Sequence, residues 1–394
     1  MPSCMNVTHN DRKFDYAIIG SGAAGLHLAM AFAADKFFSK KKILLIDKDE
    51  KQKNDRTWCF WEKGNGNWDE ILTCTWDKIQ VGFHGKEKLI PLNEYRYKML
   101  RSVHFYKFCL DKISEEKNFT LVKDEVYKTD EFHDKVIISC KNENFEADSV
   151  FSSVLDYEPN AKGHPYLWQH FGGWFIKTDE PAFKNMSPQF MNFNIEQEDR
   201  TQFMYMLPYT DNEALFEFTL FSKDILKNES YEKFLDNHLR GLNIKNFIIT
   251  EKEFGRIPMT TFPFWHKNTK RKMYIGSAGG WTKPSTGYTF YFCQKYASQI
   301  TRFLYGENDL RRFRLYNRYF WFDRILLEVL NRYNHLGSAI FGRMFLHNKI
   351  STIFSFLNNE SKIHEDFMII LKTKFPHLFF QALLTTLKPI PNEK

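Results

Sequence analysis

The sequence predicts an α/β fold, and three stretches of the chain carry this prediction. Residues 14–33, FDYAIIGSGAAGLHLAMAFA, are typical of an apolar strand, a glycine-rich turn and an apolar helix. A second apolar strand, KILLID, follows at residues 42–47, and another strand, glycine-rich turn and helix occupy residues 273–300. Strands that alternate with helices indicate a parallel sheet, so we expect a discontinuous Rossmann-like domain.

The first turn matches the dinucleotide-binding pattern G-x-G-x-x-G at Gly20, Gly22 and Gly25. These glycines allow a tight turn, close approach of the backbone to a pyrophosphate, and close packing of helix on strand. The helix that begins at Ala23 and Ala24 offers amide donors to phosphates. Asp47 ends the second strand 22 residues after Gly25, as expected of a ribose-binding carboxylate. An ordinary glycine-rich turn is the alternative, and the pattern does not choose between a nicotinamide dinucleotide and FAD.

The composition is that of a globular protein with an unusual aromatic content. The 394 residues are 43% hydrophobic and 26% charged, and they include 40 Phe and 18 Tyr, which favours a large apolar pocket or surface. The net charge of +7 is a mild excess that could attract anionic lipid headgroups, nucleic acid or no particular partner, and lysine runs such as SKKK at residues 39–42 are usually solvated loops. No nucleic-acid partner is expected. Six scattered cysteines and thirteen histidines form no metal-binding spacing, so no metal site is expected. No signal sequence and no run of about 18 apolar residues is found, so we expect a cytoplasmic protein with at most peripheral membrane contact.

One predicted strand contains a carboxylate among apolar residues. In ALFEFTLFS, residues 214–222, alternation places Phe216, Phe218 and Leu220 on one face and Glu217 on the other. Ionising a carboxyl group away from water is costly. Glu217 is therefore either an ordinary strand glutamate that reaches solvent or an arginine, or a functional acid.

The order of five motifs resembles that of bacterial lycopene β-cyclases over residues 15–300. The motifs are DRTWCFWE (55–62), QHFGGWFI (169–176), FMYMLPY with LFEFT (203–219), GRIPM (255–259) and GSAGGWTKPSTGY (276–288). The resemblance implies a flavoprotein that closes the linear ends of lycopene into β-ionone rings, giving β-carotene by way of γ-carotene. This reaction is an isomerisation without net redox change, yet the family needs reduced FAD, with NADPH or NADH as reductant.

The resemblance also implies roles for individual residues. Glu217 matches the first glutamate of an F-L-E-E-T-like segment, and it is the expected proton donor. The expected FAD contacts in the other motifs are Arg56, Gly276, Gly279, Gly280, Thr286 and Gly287. Phe218 stands where the family has a second acid. In MNFNIEQ, where the family has two acids, only Glu196 remains, as the next candidate for the acid. A hydroxylase or a prenyl-chain reductase on the same scaffold is the alternative function.

The motifs divide the chain into three predicted parts. The FAD-binding domain is expected to contain residues 1–75, 148–165 and 265–300, and the substrate-binding domain residues 76–147 and 166–264, including a strand at Lys135–Cys140. Residues 301–394 are expected to be a helical C-terminal region. Within it, residues 310–333 predict an amphipathic helix that packs on the core or lies on a membrane. Residues 336–345 and 376–387 are better membrane candidates, because the implied substrate dissolves in lipid.

Overall fold

The computed structural model describes residues 12–157 and 163–387. The parts of the predicted domains at residues 1–11, 158–162 and 388–394 lie outside the described residues.

The described residues form 17 strands and nine α-helices. The strands are β1 (Lys13–Ile19), β2 (Ile43–Asp47), β3 (Thr57–Lys63), β4 (Cys74–Trp76), β5 (Lys78–Phe83), β6 (Lys86–Pro91), β7 (Tyr95–Arg101), β8 (Phe119–Lys123), β9 (Val126–Glu131), β10 (Val136–Cys140), β11 (Asn144–Ser152), β12 (Tyr166–Thr178), β13 (Gln189–Asn192), β14 (Thr201–Pro208), β15 (Glu213–Ser222), β16 (Phe247–Thr260) and β17 (Lys272–Tyr274). The helices are α1 (Ala23–Ala33), α2 (Ser102–Ser114), α3 (Asn228–Gly241), α4 (Phe290–Phe303), α5 (Arg318–Arg332), α6 (Gly337–His347), α7 (Ile350–Leu357), α8 (Ile363–Lys372) and α9 (Pro376–Thr386).

The first sheet has the predicted Rossmann-like arrangement. Its strand order is β8-β2-β1-β11-β10-β9, with β17 added on β11. Strand β1 runs parallel to β2 and β11, and β17 runs parallel to β11, although more than 100 residues separate β17 from β11 in the chain. Buried residues of α1, α2 and α4 pack in one apolar core on this sheet. The α/β fold class is therefore confirmed, including the late return of the chain to this sheet.

The position of one strand corrects the prediction. We expected residues 135–140 among the strands of the substrate-binding domain, but β10 pairs antiparallel with β9 and β11 in the nucleotide sheet. Val136 and Ile138 are buried with Ala17 and Ile19 of β1. Alternating apolar residues predict a half-buried strand, but they do not say which of two sheets it joins. The rest of the division into domains stays a prediction.

The second large sheet has the order β16-β12-β15-β14-β13-β5-β6. On its back face, Phe216, Phe218 and Leu220 of β15 share a core with residues of α3. On its front face, Leu215 and Phe221 pack in a different core, with residues of the small sheet β3-β7-β4 and of the C-terminal helices. The predicted alternation in β15 is confirmed, and it directs Glu217 to the front face.

The C-terminal region is helical, as predicted, but α5 begins later than expected. Residues 310–317 lie outside it, because Asn317 caps the helix by accepting a hydrogen bond from the Tyr319 amide at 2.9 Å. Helices α6 and α7 contribute to the front core, and α8 packs on both. Among the described residues, 12–157 and 163–387, no helix is long and apolar enough to cross a membrane.

Candidate functional site

A cavity of ≈ 520 Å³ lies where the N-terminus of α1 meets the front face of the second sheet. Residues of the glycine-rich turns line one side of it. The other side consists of front-face residues of β14, β15, β12 and β16, and of β3. Eight predicted site residues line this cavity: Gly22, Ala23, Ala24, Arg56, Glu217, Gly276, Thr286 and Gly287. Five others do not: Gly20, Gly25, Asp47, Gly279 and Gly280.

The three glycines of the first turn differ in what a side chain would meet. Gly20 has φ +94°, and a Cβ there would lie 2.1 Å from Ser153 Oγ. A Cβ at Gly25 would lie 1.8 Å from the Gly20 carbonyl oxygen. At Gly22 a Cβ would meet no atom of the described residues within 4 Å. Gly20 and Gly25 therefore close the turn against the sheet and the helix, whereas Gly22 leaves open space on the cavity side, where a phosphate could approach the backbone.

Asp47 fixes the turn from outside the cavity. Its Oδ2 accepts hydrogen bonds from the Ser21 amide at 2.6 Å and the Ser21 hydroxyl at 3.0 Å. Lys51 Nζ lies 3.3 Å from the same oxygen. The structure thus ties this carboxylate to the turn, and its predicted contact with a ribose stays a prediction.

The late glycine-rich segment packs directly on the first turn. Gly276 has φ +62°, and a Cβ there would lie 2.9 Å from the Ala24 Cβ. Gly279 approaches the Tyr274 carbonyl, and Gly280 approaches the Phe264 ring, so both have structural contacts away from the cavity. Gly287, with φ +75°, returns to the cavity wall beside Gln169. This segment therefore brings two separate parts of the chain to one cavity.

Several buried polar atoms on the cavity wall have no hydrogen-bond partner within the described residues. They are Thr57 Oγ1, Gln169 Oε1, Glu253 Oε2 and Thr286 Oγ1. Burying such atoms without a partner is costly, so their clustering indicates a ligand or water that hydrogen bonds to them. Together with the open space at Gly22, they fit a large polar cofactor that extends from the α1 N-terminus into the cavity.

Glu217 lies in the front wall of the cavity, and its predicted role as the acid stays a prediction. Its Oε1 accepts a hydrogen bond from the Thr219 hydroxyl at 2.8 Å. Burial raises the pKa of Glu217 from 4.5 to about 8, and repulsion from the Glu253 carboxylate adds to this shift. At neutral pH the group is therefore mainly a protonated acid in contact with the cavity.

The sequence did not point to Glu253, whose carboxyl group lies on the same sheet face as Glu217 and also lines the cavity. Gly173 of β12 pairs with Glu217 on one side and with Glu253 of β16 on the other, so the three residues form one row across the sheet. Glu253 is only 8% exposed, and the Thr57 amide donates to its Oε1 at 3.3 Å. Glu253 lies two residues before the GRIPM motif, but only the strand register places it beside Glu217.

The next candidate acid from the sequence, Glu196, is exposed and does not line the cavity. The apolar end of the cavity lies at Tyr205 and Tyr288, whose hydroxyl oxygens are 3.4 Å apart. Beyond these tyrosines a smaller space of ≈ 20 Å³ is lined mainly by aromatic and aliphatic side chains, including Phe341 and Met344 of α6. The site thus has a polar end at the glycine turns and an apolar end at the C-terminal helices.

Solved structures of similar fold include several flavoproteins. A geranylgeranyl bacteriochlorophyll reductase-like protein from Thermoplasma acidophilum aligns with a TM-score of 0.57 at 14% identity, covering 95% of this chain and 99% of that one. The flavin-dependent brominase Bmp2 aligns with 0.57 at 13% identity, covering 94% and 98%. A flavoprotein/dehydrogenase from Cytophaga hutchinsonii aligns with 0.58 at 11% identity, covering 94% and 99%. At these identities the likeness establishes the fold alone.

The search among curated proteins found no match. The family model described as lycopene cyclase protein matches residues 15–384, which is nearly the whole chain. This match includes both glycine-rich turns, the wall that carries Glu217, and the C-terminal helices. The chain belongs to the lycopene cyclase family.

Proposed function

We propose that this protein is a lycopene β-cyclase that forms β-ionone rings on lycopene and γ-carotene, giving β-carotene. The observation that carries the proposal is a carboxyl group, Glu217, that lines a cavity whose far end is apolar. Desolvation in this wall raises its pKa to about 8. Ring closure of a hydrocarbon needs a proton donor, since the substrate offers no polar group that could be activated otherwise. Membership of the lycopene cyclase family supports a substrate of this class.

The proposed cofactor is FAD, with NADPH or NADH as its reductant. Gly22, Ala23 and Ala24 would hold the pyrophosphate at the α1 N-terminus, and Arg56, Gly276, Thr286 and Gly287 would contact the rest of the cofactor. The unpaired Thr286 hydroxyl and Gln169 carbonyl fit a partner of this polarity. Reduced FAD, when bound, would supply negative charge near the cation that develops on the substrate.

The protein's own groups initiate the reaction. Glu217 donates its proton to the terminal carbon–carbon double bond, the neighbouring double bond attacks the resulting cation, and a base removes a ring proton. The aromatic walls near Tyr205 and Tyr288 exclude water, which would otherwise add to the cation and give an alcohol. The sum is an isomerisation that consumes no reductant.

We also propose that helices α8 and α9 dock on the cytoplasmic face of a membrane, where the carotenoid resides. Apolar side chains on the two helices are more than half exposed: Ile363, Phe367, Leu371, Phe380 and Leu384. Lys372 and Lys374 lie beside them, which suits an anionic lipid surface. Helix α8 packs on α6 and α7, whose residues line the smaller apolar space, so this surface adjoins the apolar end of the site.

Expression in cells that accumulate lycopene tests the proposed activity. A cyclase converts red lycopene into orange-yellow γ-carotene and β-carotene, which have the mass of lycopene. With purified protein, lycopene in liposomes and chemically reduced FAD, ring formation should proceed without oxidation of one NADPH per ring. Products heavier by oxygen, formed with stoichiometric NADPH oxidation, would instead indicate a hydroxylase. Products heavier by hydrogen, with the same NADPH stoichiometry, would indicate a prenyl-chain reductase, an alternative that is consistent with the fold of the reductase-like structure.

A further inference from the structure

Glu217 and Glu253 face the same cavity from two strands that are separated by one strand. Neighbouring strands are about 4.8 Å apart, so the Cα atoms of the two glutamates are about 10 Å apart. Gly173 lies between them and has no side chain. A Cβ at Gly173 would lie 3.5 Å from the Glu217 Cβ. The glycine therefore leaves a gap between the carboxyl groups, and the Leu215 side chain borders this gap, since a Cβ at Gly173 would also lie 3.1 Å from Leu215 Cδ1. Both glutamates line the cavity.

The two carboxyl groups have different partners. Within the described residues, Glu217 accepts one hydrogen bond, from the Thr219 hydroxyl. Glu253 accepts a hydrogen bond from the Thr57 amide, and hydrogen bonding to Thr57, followed by the positive charges of Arg56 and Arg101, favours its ionised form. Burial still raises the pKa of Glu253 above its ordinary value. Of the pair, Glu253 is thus the better-stabilised carboxylate, and two carboxyls whose surroundings differ in this way suit an acid and a base.

Other groups on the cavity wall are poor proton acceptors. Burial raises the pKa values of three of them, so that they stay protonated: Cys59, Tyr205 and Tyr288. The Asp55 carboxylate already accepts hydrogen bonds from the Ser102 and Tyr106 hydroxyls at 2.9 and 2.8 Å. Glu253, by contrast, is only 8% exposed and has an oxygen, Oε2, without a partner in the described residues.

We propose that Glu253 is the base that takes the ring proton, a role that rests on the cyclase function proposed above. The O–H bond of Glu217 breaks as a C–H bond forms on the terminal double bond, and the ring closes by attack of the neighbouring double bond. A ring C–H bond then breaks, its electron pair becomes the ring double bond, and the proton passes to Glu253 Oε2. No electrons are gained or lost.

The row Glu217, Gly173 and Glu253 also provides a route for the proton to return to Glu217. After ring closure Glu253 carries the proton and Glu217 is ionised. Transfer across the gap at Gly173, directly or through a water, restores the starting state. The cavity that both glutamates line therefore admits the end of the substrate to acid and base, and the row across Gly173 resets the pair for the second ring.

Three variants in deuterium oxide test the assignment: Glu253→Gln, Glu253→Asp and Glu217→Gln. Each is purified, checked for flavin content and folding, and given lycopene in liposomes with reduced FAD. We expect Glu253→Gln to lower β-ring formation by at least about 10²-fold. It should still place deuterium into recovered lycopene, since Glu217 can protonate the substrate reversibly. Glu217→Gln should abolish both ring formation and deuterium uptake.

Product identity gives a second readout. The cyclised cation has three neighbouring carbons that can lose a proton, so residual product from Glu253→Gln should contain ring isomers other than the β-ring. Glu253→Asp, which keeps the base but withdraws it, should make the β-ring alone at a rate lower by about 10²-fold. If Glu253→Gln does not fold, the Glu253→Asp variant tests the assignment instead. A parent-like rate of β-ring formation in Glu253→Asp would overturn the role of Glu253 as the base.

Two other results would also overturn it. One is a flavin-loaded Glu253→Gln variant that forms β-rings at the parent rate. The other is loss of both ring formation and deuterium uptake in that variant, which would place Glu253 before the protonation step. If the parent protein itself forms no rings, the proposed function fails, and the failure is distinct from failure of the base assignment.

Discussion

Replacing Glu217 by Gln should remove the proton donor while keeping the shape of the side chain. The raised pKa of Glu217 determines how large a fraction of molecules holds this proton at neutral pH. At pH 7 a carboxyl with a pKa of about 8 is protonated in about 90% of molecules, whereas one at 4.5 is protonated in about 0.3%. Its surroundings thus raise the proton-loaded fraction about 300-fold. We expect Glu217→Gln to retain flavin and lose cyclisation by about 10² to 10⁴-fold.

The pH dependence tests the same reasoning in the parent enzyme. Since Glu217 must be protonated, activity should fall as pH rises through about 8. The Thr219 hydroxyl bond lowers the pKa of Glu217, so Thr219→Val should move this alkaline limb to higher pH. Glu213→Gln, a change on the same strand outside the cavity, is the matched control and should leave the profile unchanged. The assay is the initial rate of ring formation from lycopene in liposomes with reduced FAD.

Glu217→Gln should raise the stability of the folded protein although it removes activity. The folded-state pKa of Glu217 is raised, so its stabilising contribution is complete below pH 4.5 and is lost as pH rises to about 8. The loss amounts to up to about 5 kcal/mol, since each pKa unit corresponds to about 1.4 kcal/mol. Glu217→Gln should therefore gain stability relative to the parent between pH 5 and pH 8. Parent-like activity in this variant, or an alkaline limb that Thr219→Val leaves in place, would refute the assignment of Glu217 as acid.

Two further predictions concern the cofactor and the membrane. Gly22→Val should fold, because a Cβ at Gly22 meets no atom of the described residues within 4 Å, but its side chain should block the pyrophosphate position and abolish FAD absorbance. Gly241→Ala, at the end of α3, is the control. Stoichiometric FAD in purified Gly22→Val would place the cofactor site elsewhere. The double variant Phe367→Ser, Leu371→Ser should co-sediment at least about tenfold more weakly with vesicles that contain about one-third phosphatidylglycerol. Tyr127 is an exposed aromatic residue on β9, and the control variant Tyr127→Ser should sediment as the parent does. Unchanged sedimentation of the double variant would exclude α8 as the docking surface.

The sequence predicted the nucleotide-binding elements well because their signals are local. The first strand, turn and helix lie where residues 14–33 predicted them, since glycine spacing and apolar runs act within a few residues. The position of Glu217 on the cavity wall was also indicated by a local pattern, because Glu217 interrupts an apolar strand. The role of Asp47 in holding Ser21 was not predicted, since spacing alone does not reveal which partner a carboxylate selects.

Local patterns could not predict that Glu253 faces the cavity, because its orientation depends on an irregularity in the sheet. Phe247 and Ile249 of β16 pack on the back face, with the core that contains α3. Simple alternation from these residues would direct Glu253 to the back as well. The pairing of β12 with β16 shifts between Phe175 and Ile176, and this shift turns Glu253 to the front. Such a bulge arises from pairing between distant segments.

The same geometry explains why Phe218 does not deprive the site of a second acid. Successive residues of a strand point to opposite faces, so a side chain next to Glu217 in sequence cannot share the cavity with it. Phe218 indeed stacks on Phe234 of α3, with ring centroids 3.7 Å apart, on the back of the sheet. An acid at position 218 would lie in that apolar core. From this sheet a second carboxyl can reach the cavity only on the front face, and the row through Gly173 supplies one in Glu253.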